Sequence, residues 1–231
     1  MENHNFKVAI FLPAYRRPEY TERCLKALEE TEYKDTCFYL LDDGSEDSTY
    51  ELLASSRLKP SVILKNKVNQ GLRNCIIDFL EIIRDKNIDI IAKVDNDTLM
   101  PKNWINDILK VFENSDADIL SPNILPSNAA FKYGLDDIEN KGYRLSKIVG
   151  GLWVMKKKLI EGIHFERHDV LGLTGAFNIL QQILFEKEPK IGWVAEVIGQ
   201  DLGHWSGLHP ENIKTDEHKS YYQEVGRNLA W

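Results

Sequence analysis

The sequence predicts an α/β protein with a mostly parallel central sheet flanked by helices. Three observations carry that prediction. Short apolar runs alternate with amphipathic segments through residues 7–122, an order that closes as parallel strands joined by right-handed crossovers. Runs such as "KVAIFL" and "TCFYLL" are short and bounded by turn residues, the pattern of buried strands. Several of them end in polar stretches, "PAYRRPEY", "LDDGSEDST" and "DNDT", and in an open α/β sheet such ends gather on the edge where ligands bind.

The elements follow in order. After "KVAIFL", Pro18 opens a helix that carries Tyr20, Cys24, Leu25 and Leu28 at helical spacing. After "TCFYLL", Ser48 and Glu51 form a capping box for a short helix through Leu52 and Leu53. Pro60 precedes a third strand, "SVILK". Leu72, Ile76, Phe79, Leu80 and Ile83 recur at three and four, which marks one buried helix face. A fourth strand holds Ile90, Ile91, Ala92 and Val94. Trp104, Ile105, Ile108, Leu109 and Phe112 mark the next helix, and "ADILSP" the fifth strand. From about residue 123 the periodicity weakens, and "NILPSNAAFKYGLDDIENKGYRLSK" reads as surface lining a substrate site, because long loops in compact domains are usually functional. "GGLWVM" then predicts a strand, "LTGAFNILQQILF" a helix and "GWVAEVI" a last strand. With no repeats or linker tracts, residues 1–231 are read as one domain.

Composition narrows the function classes. A net charge of −7 and a pI near 5.4 exclude a broad nucleic-acid surface. Cys24, Cys37 and Cys75 are far apart and contain no C-x-x-C pair, so neither a disulfide framework nor a zinc site is expected, and a reducing cytoplasm is. No run of about 18 apolar residues predicts a membrane span, although peripheral membrane contact stays open.

The chemistry concentrates in "DIIAKVDNDTLMPKNWI". An extended chain alternates its side chains, so Asp95 and Asp97 would share one face at a strand end. Two close carboxylates repel unless something positive lies between them. A divalent metal, Mn²⁺ or Mg²⁺, answers that need with oxygen ligands; the alternative is a polar loop capping the helix near Trp104. At the first strand end, Pro13 stiffens the turn, Tyr15 offers a flat ring, and Arg16 or Arg17 can meet an anion through paired hydrogen bonds. At the second, Asp42 and Asp43 can accept from a nucleotide's ring N–H or ribose hydroxyls. At the third, Gly71 allows close backbone approach and Arg73 stands at a helix N-terminus suited to phosphate.

In order and spacing, "FLPAYRRPEY", "LLDDGSEDST", "NQGLRN" and "KVDNDTLMPKNW" resemble the family 2-like glycosyltransferases of the GT-A fold. The resemblance implies a nucleotide-sugar-binding half over residues 7–122 and a less regular acceptor-side half over 123–231. It implies that Pro13, Tyr15, Asp42 and Asp43 border the base and ribose, with Arg17, Gly71 and Arg73 near the donor. Asp95 would approach ribose or sugar hydroxyls and Asp97 would bind the metal. Gly150 and Gly151 would lie at the sugar pocket, and Trp153 is either a stacking face for the sugar or a core aromatic. His204 in "GHWSGLHP" fits a second metal ligand. The acidic pair of many inverting members is not recognisable, which leaves Asp169 or Asp201 as the base. The implied activity is metal-dependent transfer from a UDP- or GDP-sugar to a glycan or glycoconjugate acceptor, in surface glycan synthesis, with a slight lean to inversion. "VDNDT" also resembles the nucleophile loop of haloacid dehalogenase-like phosphatases, with Asp95 as nucleophile and Asp97 as acid and base, and a non-catalytic sugar-nucleotide- or glycan-binding relative is a third reading.

Overall fold

The computed structural model describes residues 6–125, 142–145, 151–167 and 174–202. Along the chain come β1 (Val8–Ala14), α1 (Pro18–Glu29), β2 (Thr36–Asp42), α2 (Thr49–Ser55), β3 (Val62–Lys65) and α3 (Leu72–Ile83). They are followed by β4 (Ile90–Lys93), β5 (Thr98–Leu99), α4 (Trp104–Asn114), β6 (Ile119–Leu125) and β7 (Arg144–Leu145). β8 (Trp153–Lys156), a 3-10 turn over Lys157–Ile160, α5 (Thr174–Lys187) and β9 (Ile191–Asp201) complete the described elements.

β1 shows why the fold closes around the sheet. All seven of its residues are buried, and alternate side chains point to opposite faces. Val8, Ile10 and Leu12 share one core with Cys24, Leu25 and Leu28 of α1, Leu53 of α2, and Trp104, Ile105, Ile108 and Phe112 of α4. Ala9 and Phe11 belong to the other core, with Ile76, Phe79 and Ile83 of α3 and Ile179 and Ile183 of α5. Phe11 stacks on Phe79 with ring centroids 4.6 Å apart, a geometry that contributes about 0.5–1.5 kcal/mol beyond area burial. A strand covered on both faces has no place for alternation, which explains the apolar run in the sequence.

The strands lie in the order β3-β2-β1-β4-β8-β6-β9-β5, with β7 also on β9. β1, β2, β3 and β4 are mutually parallel. β8 runs antiparallel between β4 and β6, Met155 pairing with Ile91 on one side and Ile119 on the other. β6 and β9 are parallel with a register shift at Pro122/Asn123. The sheet is therefore mostly parallel by direction but carries an inserted antiparallel strand, which the β-α-β-α order alone did not indicate.

Two local expectations change. Pro13 does not end β1; it lies inside it, paired in register with Leu41. A proline is tolerated there because the carbonyl of Phe11 faces β4, bonding Val94 N–H at 2.9 Å. Two residues on, the missing N–H faces the same side, beyond the last β4 pairing at Lys93. The capping box also does not form. Ser48 makes no side-chain cap; instead Asp47 Oδ1 accepts the Thr49 N–H at 2.9 Å. Gly44 takes φ +78°, and a Cβ there would lie 2.5 Å from the Val68 carbonyl carbon, so only glycine fits this turn.

Candidate active site

The D-x-D stretch is a turn, not an extended strand end. Thr98 N–H bonds the Asp95 carbonyl at 3.0 Å, so Asp95 and Asp97 do not share a face by simple alternation. Thr98 and Leu99 then pair antiparallel with Asp201 and Gln200 of β9, and Leu202 N–H donates to the Asp97 carbonyl at 2.8 Å. Asp201 is thus drawn from far along the sequence to the strand beside the turn. The middle residue, Asn96, is buried. Its amide donates to Thr21 Oγ1 at 2.8 Å and to the Arg16 carbonyl at 3.3 Å, fastening the turn to the start of α1.

Each acid of the pair has its own cation. Lys93, 1% exposed, forms an ion pair with Asp95 and donates to the Gly151 carbonyl at 3.0 Å. A Cβ at Gly151 would lie 2.9 Å from Asp95 Oδ2, so a larger residue there would push the carboxylate aside. Arg17 Nη1 donates to Asp97 Oδ2 at 2.8 Å, the two side chains 9% and 18% exposed. The electrostatic need that suggested a metal is met by the chain itself, a feature hidden from the sequence because Lys93 reads as strand and Arg17 is 80 residues away.

Arg17 is aimed by unusual backbone. Arg16 and Arg17 have φ of 54° and 64°, left-handed conformations that cost non-glycine residues about 1–3 kcal/mol each and persist where surroundings over-determine them. The Arg16 N–H donates to Ser45 Oγ at 2.7 Å. The Arg17 carbonyl accepts from Tyr20 and Thr21 N–H at 3.1 and 3.0 Å. The guanidinium also lies over the Tyr20 ring, 4.3 Å from its centroid, a cation–π contact. Arg16 covers Tyr15 in the same manner at 5.3 Å.

The neighbouring strand ends are joined by acids. Asp43, 4% exposed, accepts from Asn66 Nδ2 at 2.8 Å, Gln70 N–H at 2.9 Å and Gly71 N–H at 2.9 Å. The Cys75 thiol also hydrogen-bonds this carboxyl, so most of the roughly four acceptor positions of a carboxylate are occupied. Gly71 adopts φ 83° as the N-cap of α3, which explains its glycine. Asp42 is fully buried; Oδ1 accepts the Ser45 N–H at 3.1 Å, and Lys65 Nζ stands 3.9 Å from Oδ2. Burial raises its pKa, against the lowering influence of Ser45 and Lys65. Burial likewise pushes the Cys24 and Cys75 thiols up, which excludes a thiolate nucleophile at either position near neutral pH.

One sequence reading is corrected, and of the two readings of Trp153 the core aromatic holds. Arg73 is buried, and its Nε and Nη2 donate to the Glu166 carbonyl at 3.0 and 2.9 Å; it clamps α3 to the chain after the 3-10 turn instead of presenting a fork to phosphate. Trp153 is 1% exposed and belongs to the α3/α5 core, so no ring face is open to a sugar. Gly150, Asp169 and His204 lie outside the described residues. Ser45, Lys93, Asn96 and Asn66 were missed, having no recognisable spacing of their own.

Among the described residues no cluster of three His, Cys, Asp or Glu side chains could hold a metal. A hard cation such as Mg²⁺ nevertheless binds through one or two carboxylates when substrate phosphates supply the rest. Asp97 meets that lesser requirement: Arg17 engages only Oδ2, and the side chain is partly exposed.

The glycosyl transferase family 2 model matches residues 9–187. The chain belongs to glycosyl transferase family 2. That match covers the D-x-D turn and displaces the phosphatase reading. No curated protein matches in sequence. Among solved structures, the family 2 chain is similar to the mannosyltransferase PcManGT from Pyrobaculum calidifontis, in complex with GDP-Man and Mn²⁺, at TM-score 0.69 and 17% identity, covering 99% of this chain and 67% of that one. It is similar to S. aureus TarS 1–349 at TM-score 0.65 and 14% identity, covering 97% and 67%, and to the same protein with UDP-GlcNAc at 0.65 and 14%, covering 97% and 68%. The fold is that of GT-A glycosyltransferases. No helix among the described residues is long and apolar enough to cross a membrane.

Proposed function

We propose that this glycosyltransferase is metal-dependent and moves a sugar from a UDP- or GDP-linked donor to a hydroxyl of a glycan or glycoconjugate acceptor, in surface glycan assembly. The single observation that carries the reading is the convergence of Asp97, Asp95 and Arg17 at one turn stitched to Asp201. Asp97, with Asp95 beside it, would hold Mn²⁺ or Mg²⁺, which when bound acts as a Lewis acid on the departing diphosphate. The complexes of PcManGT with GDP-Man and Mn²⁺ and of TarS with UDP-GlcNAc support a donor of this class.

The chain's own residues then have separable tasks. Asp43 holds the Asn66–Gly71 turn in place beside the base and ribose. Asp95, oriented by its ion pair with Lys93, accepts from ribose or sugar hydroxyls. Gly151 leaves the space that a sugar needs beside that carboxylate. Asp201 takes the acceptor proton as the new bond forms, a role that needs a carboxylate within hydrogen-bond reach; Asp169 is the alternative base, and His204 a further ligand. A base in either position favours inversion. The three free cysteines fit a reducing compartment and hence the cytoplasm.

The test is thermal shift with UDP- and GDP-sugars, with and without Mn²⁺, followed by release of nucleoside diphosphate. A ligand that binds only the native state raises apparent stability by mass action. Asp97→Asn should abolish the metal-dependent part of the shift and turnover with it. An undiminished shift in that variant overturns the assignment, and binding without release of nucleoside diphosphate in the parent chain identifies a binding module instead.

A further inference from the structure

We propose that Arg17 occupies the cation position of Asp97 until a diphosphate arrives, so that guanidinium and divalent metal are alternatives at one carboxylate and metal and nucleotide bind cooperatively. The inference rests on the reading of Asp97 as the metal ligand.

The two acids of the turn differ in how their cations are held. Lys93 is buried and tied to both Asp95 and the Gly151 carbonyl, so it is a permanent part of the sheet. Arg17 reaches Asp97 from the N-cap of α1. A helix N-terminus carries partial positive charge and disfavours a cation. Among the contacts that hold it are Asp97 Oδ2 at 2.8 Å and the Tyr20 ring at 4.3 Å. A dication arriving at the same carboxylate, even on the oxygen that Arg17 leaves open, repels the guanidinium held on Oδ2. Metal alone therefore has to weaken or displace a largely desolvated ion pair, a costly step when it strands a charge.

A nucleoside diphosphate changes that balance. Its pyrophosphate offers the planar guanidinium a bidentate anionic partner and brings further oxygen ligands for the metal. The helix N-terminus that disfavours Arg17 favours phosphate. Release of Arg17 from Asp97 and capture of the diphosphate become one exchange. By linkage, whatever factor the nucleotide adds to metal affinity, the metal adds to nucleotide affinity.

The experiment titrates Mn²⁺ alone onto the full chain, reading free Mn²⁺ by its electron paramagnetic resonance signal, then measures GDP and UDP affinity at saturating Mn²⁺. The parent chain should bind Mn²⁺ alone weakly. Arg17→Met should bind it about tenfold tighter, the scale of a partly desolvated pair removed, while losing about tenfold in nucleotide affinity. Arg17→Gln serves as the second uncharged variant should Arg17→Met not fold. Arg17→Lys, retaining the charge, should hold Mn²⁺ affinity near that of the parent. Unchanged or weaker Mn²⁺ binding in the folded uncharged variants overturns the inference. Asp97→Asn separates the two levels: if it abolishes Mn²⁺ binding with nucleotide present while the Arg17 variants leave Mn²⁺ affinity unchanged, only the exchange is wrong. If Asp97→Asn binds Mn²⁺ as the parent does, the metal reading itself fails.

Discussion

Replacing Lys93 by methionine tests whether the chain's own charges hold the D-x-D turn. Methionine keeps the unbranched stem and removes the ammonium, leaving Asp95 without its cation and the Gly151 carbonyl without its donor. Breaking a buried ion pair from one side costs about 3–5 kcal/mol, but the Asp95 side chain is 31% exposed and water can take over part of its solvation. The expected cost falls to about 2–3 kcal/mol, or roughly 4–12 °C in Tm for a chain of this size. Asp95→Asn should cost more, because it leaves an ammonium that is 1% exposed with only neutral acceptors, the amide oxygen and the Gly151 carbonyl. Chemical denaturation of the parent, both single variants and the double variant completes a double-mutant cycle. The double variant should cost less than the sum of the singles by more than about 1 kcal/mol. Additive costs, or a Lys93→Met loss under about 1 kcal/mol, would refute the account.

Two stability predictions follow from the second strand end. Gly44→Ala should cost about 3 kcal/mol or more, combining a left-handed φ with a Cβ pressed against the Val68 backbone; a denaturation midpoint that barely moves contradicts this. Asp42 has a pKa raised chiefly by burial. Its contribution to stability is full below the unfolded aspartate value, about pH 4, and is lost as pH rises through the raised folded value. Asp42→Asn should therefore gain in Tm relative to the parent as pH rises above about 4, and a difference that stays flat with pH counts against the assignment.

The parallel half of the fold was legible because β1 and β4 are buried throughout, β2 is buried over its C-terminal half, and their helices each bury one stripe. Direction was harder. "GGLWVM" reads as a strand whichever way it runs, and what makes β8 antiparallel is its fit between β4 and β6 around Met155. β5 and β7, two residues each, are too short for any period. At the site, Asp95 and Asp97 stood out by position, yet their partners did not. Lys93 passes for an edge residue of an apolar run, and the approach of Arg17 depends on two left-handed residues that no local rule assigns to arginine. Trp153 shows the converse, since an aromatic after glycines suggests a sugar platform and only the packing of α3 and α5 identifies it as core.

The peptide stitching around Asp97 has a mechanical consequence. Leu202 N–H on the Asp97 carbonyl, Thr98 against Asp201, and Asn96 on Thr21 and Arg16 weld the ends of two strands and the head of a helix into a single stiff block. Pulling on either carboxylate loads all three together. Any rearrangement that accompanies ligand capture must then go around this block, by swinging side chains such as that of Arg17, and not by bending the backbone that bears the acids.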